Sequence, residues 1–300
     1  MAIPESQLDT WSGVGAGVGS KETYATVRLA LDRNDAPYHR KGKDVSIFLQ
    51  GSYGNDTNVY KESDVDVVIQ LSGSTFYFDL RLLSLSESQK FEKNYGSDAP
   101  YGFDEFKVDV RDQLRNRFGD AVTVGTKAIC IAAGNGRRKA DVVVCVDFRR
   151  YISFENLWTQ NYVPGICFFT TSGTRVVNFP KQHSENATAK HQATKNWYKP
   201  MVRIFKNMRN RLITDGALEA GVAPSYYVEG LLYNVPNDLF GRTYKDSFVA
   251  IFNWINNADR STFKCANEQY KLLDVEAHVT WSSTNLNRFL DGLRTLWNDW

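Results

Sequence analysis

Two aspartates, Asp64 and Asp66, open an apolar stretch of sequence that ends at Leu71. The β-branched residues of this stretch predict a strand. Residues i and i+2 of a strand face the same side, so both carboxylates would project together. Carboxylate pairs bind Mg²⁺, and two such ions about 4 Å apart can activate a hydroxyl and stabilise a departing pyrophosphate. The pattern DVDVVIQL therefore indicates metal-dependent chemistry on phosphates.

A third carboxylate is expected from a neighbouring strand, because two acids rarely hold two metal ions. Asp141 opens the later predicted strand DVVVCVDF, where an isolated charge would need a partner or a metal. Asp147 is the second choice. It lies at the far end of that strand beside Arg149 and Arg150, where a surface ion pair is the simpler explanation.

A glycine and a serine, Gly51 and Ser52, follow a predicted strand over residues 45–50. Glycine lets the backbone approach a ligand closely, and exposed amides together with a serine hydroxyl donate hydrogen bonds to phosphate oxygens. This turn is predicted to hold a triphosphate. A Gly-Ser turn or an Asp-x-Asp strand is common alone, but their order and spacing here make a specific signature.

The signature is similar to that of the polymerase-beta-like nucleotidyltransferase superfamily: Gly51-Ser52, eleven residues, Asp64-x-Asp66, and a later strand acid at Asp141. The segments FLQGSYGN, SDVDVVI, VRIFKNMRN and PSYYVEGLLY resemble a narrower group over roughly residues 20–300. That group is the CD-NTase family, the bacterial cyclic-oligonucleotide synthases related to cyclic GMP-AMP synthase and oligoadenylate synthase.

The resemblance implies roles for particular residues. Gln50 and Ser52 would line the donor nucleotide, Lys206 and Ser225 would contact the triphosphate, and Tyr226 would stack on a base. The cofactor would be two Mg²⁺ ions, with Mn²⁺ as an alternative. Their ligands would be Asp64, Asp66 and Asp141, the last placed to help take the proton of the attacking hydroxyl.

Lys206 lies on a predicted basic stripe with Lys195, Lys199 and Arg203, at spacings of three or four residues. Phosphate binding is one interpretation of this stripe, and for Lys195 and Lys199 a solvated helix face is the other. Pro200 limits its continuity, because proline disrupts a helix interior.

The function implied by the resemblance is synthesis of a cyclic di- or trinucleotide second messenger in antiphage defence, with release of pyrophosphate. ATP and GTP or another nucleoside triphosphate would be the substrates, purines being favoured. A linear oligonucleotide synthase, an RNA-tailing enzyme and a transferase acting on a small molecule are the alternatives, and an inactive binding module is a more distant one. The cysteine- and histidine-rich insertion of the vertebrate synthase has no counterpart, so direct sensing of double-stranded DNA is not expected. A regulatory partner, protein or RNA, stays open.

The expected fold class is α+β: a nucleotidyltransferase core with a mixed sheet over residues 1–180, a helical lobe over 181–300, and an active site in the cleft between them. The glycine-rich residues 11–20 fail the GxGxxG spacing and are interpreted as a flexible lead-in. Strands are predicted at 45–50, 64–71, 121–125, 127–132 and 141–148. Helices are predicted at 21–31, 103–118, 188–212 with a new start near Pro200, 225–234, 244–257 and 286–297.

Composition excludes several classes of protein. Hydrophobic residues at 42% and charged residues at 23% are ordinary for a globular chain, and a net charge of +2 argues against a protein that coats nucleic acid. No apolar run is long enough for a membrane span and no signal-peptide layout is present, so the cytoplasm is expected. Four scattered cysteines predict buried thiols rather than disulfides or zinc sites, and His183 and His191 are expected to be structural or exposed.

Overall fold

A computed structural model describes residues 2–15, 18–59, 64–95, 100–274 and 279–300. The helices are α1 Glu5–Ser12, α2 Val18–Leu31, α3 Pro37–Arg40, α4 Gly51–Gly54, α5 Leu85–Asn94, α6 Phe103–Phe118, α7 Pro180–Ala193, α8 Tyr198–Thr214, α9 Ser225–Tyr233, α10 Tyr244–Asn257 and α11 Ser283–Asn298. The strands are β1 Val45–Leu49, β2 Val65–Asp79, β3 Val122–Val124, β4 Ile129–Ile131, β5 Ala140–Phe154, β6 Gln160–Phe169 and β7 Arg175–Asn178.

The chain divides into two compact units. The sheet unit comprises Val18–Leu49 and Asp64–Phe179, and the helical unit comprises Met1–Gly17, Gln50–Ser63 and Pro180–Trp300. The last segment of the helical unit begins at Pro180, one residue before the predicted start of the helical lobe at residue 181. Unlike the predicted division, the helical unit also includes two earlier segments of the chain.

The sheet unit is built on a mixed sheet in the order β1-β2-β5-β4-β3, with β6 paired to β5 and β7 to β6. The β2–β5 pair is parallel, and the other pairs are antiparallel. The central strands carry β-branched residues such as Val67 and Val142, which are fully buried. Such residues pack well on a pleated surface, and their burial fixes the register of the pair. The prediction of an α+β fold with a mixed sheet is confirmed.

Strand β2 is interrupted by an irregularity between Leu71 and Phe76, where its register with β5 shifts. Asp147 of β5 fastens this point. Its carboxylate accepts hydrogen bonds from the Gln70 amide at 2.6 Å and from the backbone N–H of Gly73 at 3.2 Å. The carboxylate of Asp147 therefore binds the irregularity of β2, and its expected surface ion pair with the neighbouring arginines stays a prediction.

Helix α6 occupies residues 103–118, as predicted. Phe106, Val110 and Leu114 recur every four residues and are fully buried, which is the pattern of a helix packed on one face. The helix ends at Gly119, whose φ of +57° lies in the left-handed region that favours glycine.

The core of the helical unit surrounds α8. Buried side chains of this helix, such as Phe205 and Met208, pack with residues of α9, α10 and α11, and with Ile3 and Leu8 near the N-terminus. Pro200 lies in the first turn of α8 and α7 ends before it, which confirms the predicted new helix start.

The sequence-based predictions miss several elements. Helices α1 and α5 and strands β6 and β7 were not predicted, and β2 and β5 continue well past their expected ends. Strand β6 contains Pro164 and Gly165, two residues that lower strand propensity. The flexible lead-in is wrong at both of its ends, because Trp11 and Ser12 end α1 and residues 18–20 begin α2. Residues 13–15 are irregular, and Ala16 and Gly17 lie outside the described residues.

Membrane-spanning structure was sought among the helices. Within the part of the chain that the structure describes, no helix combines the length and apolar character needed to cross a bilayer.

Gly165→Ala should destabilise the sheet unit, because its new Cβ would lie 2.8 Å from the carbonyl oxygen of Asn178 and 2.9 Å from the Phe179 ring. Overpacking of this kind costs about 1–3 kcal/mol. Urea unfolding followed by circular dichroism measures the loss. Gly134→Ala is the control, since its Cβ would meet nothing within 4 Å. An unchanged urea midpoint for Gly165→Ala would contradict the close approach of β6 to Asn178, the last residue of β7, and to Phe179.

Candidate active site

The expected acids come together at the start of two neighbouring parallel strands. Asp66 in β2 pairs with Asp141 in β5, and the N–H of Val65 donates to the carbonyl of Lys139 at 3.0 Å. Asp64 and Asp66 are two residues apart, as are Lys139 and Asp141, so each pair shares one face of its strand. Four charged side chains thus form a square, which we call the acidic square: Asp64, Asp66, Lys139 and Asp141.

The lysine of the acidic square contacts two of its acids. Lys139 Nζ lies 2.7 Å from Asp64 Oδ2 and 3.5 Å from Asp141 Oδ2. The hydrogen bond to Asp64 raises the pKa of Lys139 despite the opposing effect of burial, and the charge of Asp141 raises it further. The ammonium is therefore positively charged at neutral pH. All three side chains are partly exposed, with fractions of 42% for Lys139, 45% for Asp64 and 26% for Asp141.

The second oxygen of Asp141 is held from the other side. Cys130 of β4 lies opposite Asp141, and its Sγ donates to Asp141 Oδ1 at 2.6 Å. Burial, and then the hydrogen bond and charge of Asp141, raise the pKa of Cys130 to about 11. The thiol thus keeps its proton at neutral pH and acts as a donor. Cys130 is half-buried, whereas Cys145, Cys167 and Cys265 are buried as predicted, and all four are free.

The donor chemistry of the acidic square fits a hard divalent cation. Carboxylates offer only acceptor oxygens, which are the ligands that Mg²⁺ prefers. The placement does not yet form a coordination set: among the described residues, no three or more histidine, cysteine or acidic side chains converge to hold a metal ion. The ammonium of Lys139 lies beside Asp64 and Asp141 and compensates part of their negative charge.

The predicted phosphate turn is a single helical turn, α4. Gly51 begins it with a φ of +68°, a left-handed conformation that glycine adopts without strain. Ser52 is half-buried, and its carbonyl accepts from the N–H of Thr57 at 2.9 Å. Oε1 of Gln50 is buried and accepts no hydrogen bond from the residues that the structure describes.

The residues after α4 are anchored by a buried carboxylate, that of Glu229 in α9. It accepts hydrogen bonds from the Asn55 amide at 3.0 Å and from the Thr57 hydroxyl. His183 Nε2 lies 2.6 Å from the same carboxylate. Because Glu229 and His183 are nearly inaccessible to solvent, each depends on these partners to offset the cost of burial.

Three cations of α8 hold the same segment. Lys206 donates to the Thr57 carbonyl at 2.8 Å, Arg203 to the Asp56 carbonyl at 2.6 Å, and Lys199 contacts the Asp56 carboxylate at 3.2 Å. The stripe is therefore largely buried rather than a solvated face. Lys206 is 0% exposed in this arrangement, and its expected contact with the triphosphate stays a prediction.

Lys195 differs from the other members of the stripe. It precedes α8, in a turn with a φ of +51°, so it does not continue the helical spacing.

Ser225 and Tyr226 begin α9. The Ser225 hydroxyl lies 3.1 Å from Arg209 Nη1, which donates to it. The Tyr226 ring stacks on His183 with 5.1 Å between the ring centres, and its hydroxyl accepts from Asn267 at 2.9 Å. His183 is thus structural, as predicted. A base contact of Tyr226 stays a prediction, and only the ring face away from His183 could serve it.

Charge around Glu229 controls its titration. Burial raises its pKa, but the hydrogen bond and positive charge of His183, the charge of Lys206 and the Thr57 hydroxyl outweigh burial and lower the pKa to about 2. Glu229 therefore stays ionised at neutral pH inside the helical unit.

Some residues of the site were not among the sequence-based predictions. Lys139 stands two residues before Asp141, a spacing that repeats that of Asp64 and Asp66 and could have indicated a shared face. Cys130 and Glu229 carry no such local signal, because the groups they bind come from other elements.

Comparison with known proteins identifies the family. Residues 185–298 match the model of the cGAS/DncV-like nucleotidyltransferase C-terminal helical domain. The cyclic UMP-AMP synthase of Rhodothermus marinus is 42% identical over 302 residues, which cover 100% of this chain and 99% of that protein. This chain belongs to the CD-NTase family. The cyclic nucleotide synthase CdnE01 of Staphylococcus haemolyticus is 37% identical over the full length of both chains.

A solved structure supports the membership. The structure of the Rhodothermus marinus CdnE c-UMP-AMP synthase with Apcpp and Upnpp matches this CD-NTase with a TM-score of 0.87 and 39% identity, over 99% of this chain and 97% of that one. The resemblance drawn from the sequence motifs is thereby confirmed at the level of family and fold. The roles of individual residues stay predictions.

Glu229→Gln should destabilise this CD-NTase by about 1–3 kcal/mol at pH 7, because buried donors lose a charged acceptor. A carboxylate whose pKa falls on folding stabilises the fold above its unfolded value, near 4.5, and loses that contribution as the pH falls toward 2. The difference in the free energy of unfolding between wild type and variant should therefore be constant from pH 7 to 5 and become smaller below about pH 4.5. Urea unfolding at each pH measures it.

Glu185→Gln is the matched control, because Glu185 lies in α7 of the same unit and its side chain is 61% exposed. It should unfold like the wild type at every pH. A Glu229→Gln variant that also behaved like the wild type would contradict the buried network.

Proposed function

We propose that this CD-NTase joins two nucleoside triphosphates into a cyclic dinucleotide signal, with release of one pyrophosphate at each of two bond-forming steps, in antiphage defence. One observation carries the proposal: Asp64, Asp66 and Asp141 share one face of two paired strands, in a chain whose full-length relatives are named cyclic nucleotide synthases. Both linkages use the same chemistry, attack of a ribose hydroxyl on an α-phosphorus.

The three acids are proposed to hold Mg²⁺, with Mn²⁺ as a substitute. When bound, the metal ions activate the attacking hydroxyl and neutralise the charge that develops on the departing pyrophosphate. Asp141 is also proposed to help accept the proton of that hydroxyl. The position of the Asp141 carboxylate supports this role. The Cys130 thiol donates to Oδ1, Lys139 lies near Oδ2, and the side chain is 26% exposed.

Gln50, Gly51 and Ser52 are proposed to receive the donor nucleotide. Gly51 has no Cβ to hinder approach of a phosphate to the backbone, and the buried acceptor of Gln50 would be satisfied by a ligand hydroxyl or amine. The anchoring of residues 55–57 by Glu229 and the cations of α8 favours this role, because a pre-ordered segment loses less entropy when it binds. Ser225 and Tyr226 are retained as proposed contacts of phosphate and base.

ATP is proposed as one substrate. UTP is proposed as the second, because the relative that is 42% identical is named a cyclic UMP-AMP synthase and its solved structure contains Apcpp and Upnpp. GTP, favoured by the sequence-based expectation of purines, is the competing second substrate. Incubation with pairs of triphosphates separates the two, since only the true pair yields a product of the corresponding mass.

Asp66→Asn should lower the rate of product formation at least about a hundredfold, which corresponds to about 3 kcal/mol of lost transition-state stabilisation. The assay mixes the protein with ATP, GTP, CTP, UTP and Mg²⁺, treats the products with phosphatase, and identifies the resistant species by mass spectrometry. Asp104→Asn, an exposed acid of the same unit, is the control and should retain full activity.

Retention of synthesis by Asp66→Asn would overturn the assignment of the acids. Phosphatase-sensitive chains from the wild type would instead indicate a linear oligonucleotide synthase. A requirement for added RNA that becomes extended would indicate a tailing enzyme.

A further inference from the structure

The acidic square carries three negative charges and one positive charge on one face of β2 and β5. Like charges that face each other across paired strands destabilise the pair. Asp66 and Asp141 are such neighbours by register. The Lys139 backbone is tied to Val65 by the 3.0 Å hydrogen bond, so its side chain must emerge beside the acids. The fold therefore places a lysine side chain next to the carboxylates.

The ammonium of Lys139 uses oxygens that a metal ion would need. It lies 2.7 Å from Asp64 Oδ2 and 3.5 Å from Asp141 Oδ2, and both acids are proposed metal ligands. A divalent cation bound to these oxygens would come within a few ångströms of the ammonium and repel it. The ammonium and a divalent cation would therefore compete for these carboxylate oxygens.

We propose that Lys139 is an internal counter-ion of the site, which holds Asp64 and Asp141 together before the metal binds and leaves them as Mg²⁺ enters. This inference rests on the proposed function, because it takes the acids as metal ligands. In this arrangement Asp64 and Asp141 both contact the same ammonium.

A lysine suits such an exchange. Its charge sits on a flexible four-carbon stem that can swing into solvent, and the side chain here is 42% exposed. An arginine at the same position would bind carboxylates through two parallel hydrogen bonds and release them less readily. The side chain at position 139 should therefore set the metal affinity in a graded way.

The direct test is titration with Mn²⁺, with the free ion measured by electron paramagnetic resonance, in the absence of nucleotide. Lys139→Met keeps the length of the side chain and removes the competing charge, so its Mn²⁺ affinity should rise about fivefold, the equivalent of one exposed ion pair. Lys139→Arg should bind Mn²⁺ more weakly than the wild type. Lys127→Met, an exposed lysine between β3 and β4, is the matched control and should leave the affinity unchanged.

Thermal unfolding gives a second readout that does not depend on catalysis. Without divalent ions, Lys139→Met should melt below the wild type, because the acids lose their counter-ion. Addition of Mg²⁺ should raise the melting temperature of Lys139→Met more than that of the wild type. A Lys139→Met variant with unchanged or weaker Mn²⁺ affinity and the same response to Mg²⁺ as the wild type would overturn the proposal.

Asp66→Asn separates failure of this inference from failure of the proposed function. If the wild type binds Mn²⁺, Asp66→Asn loses that binding and Lys139→Met does not tighten it, the acids are the metal site and the counter-ion role is wrong. If Mn²⁺ binding is independent of Asp66 and no product forms with Mg²⁺, the proposed metal-dependent function is wrong. The counter-ion role is then also wrong, because it takes the acids as metal ligands.

Discussion

The parallel pairing of β2 with β5 is the constraint on which the site depends. It brings carboxylates from two distant parts of the chain to one face, with Asp66 opposite Asp141. The apolar residues that alternate with these acids, such as Val65 and Val142, are fully buried, so hydrophobic packing fixes the register. A slip of one residue would turn the acids toward the core and the valines toward solvent, at a large cost in free energy. The chemistry is thus held in place by packing beneath it.

The helical unit solves a different problem, the fixation of a short irregular segment. Residues 55–57 offer backbone carbonyls and small polar side chains, which one buried acid and three cations of this unit bind. Removing one partner from such a network leaves another charge buried without compensation. The segment that follows Gly51 and Ser52 is therefore tied to the core of α8 and α9 more firmly than an ordinary surface loop.

Much of this arrangement could be predicted from the sequence. The spacing of Asp64 and Asp66 indicates a shared strand face, and the buried positions of α6 recur every four residues, so short-range periodicity is enough to find them. Pro200 marks the start of α8 because its ring restricts where a helix can continue.

Other features could not be predicted because their causes are distant in the chain. Cys130 contacts Asp141 because β4 pairs with β5, and no local pattern in the sequence indicates that pairing. Glu229 looks like one polar residue in an apolar helix, and two of its partners, Asn55 and Thr57, lie more than a hundred residues earlier. Asp147 reads as a surface acid, yet it binds a strand irregularity that no local pattern indicates. Lys199 fits a solvated helix face until its burial is known.

The pairing of β2 with β5 also has a consequence for how the chain reaches its native state. Asp64 and Lys139, which immediately precede β2 and β5, are 75 residues apart, so closing this loop costs more chain entropy than forming the hairpin of β3 and β4. Contacts of such high contact order form slowly. Until they form, β2 presents an unpaired apolar edge, which is a template for association with other chains. The residues that create the active face thus also define the stage at which a newly made chain is most exposed to aggregation.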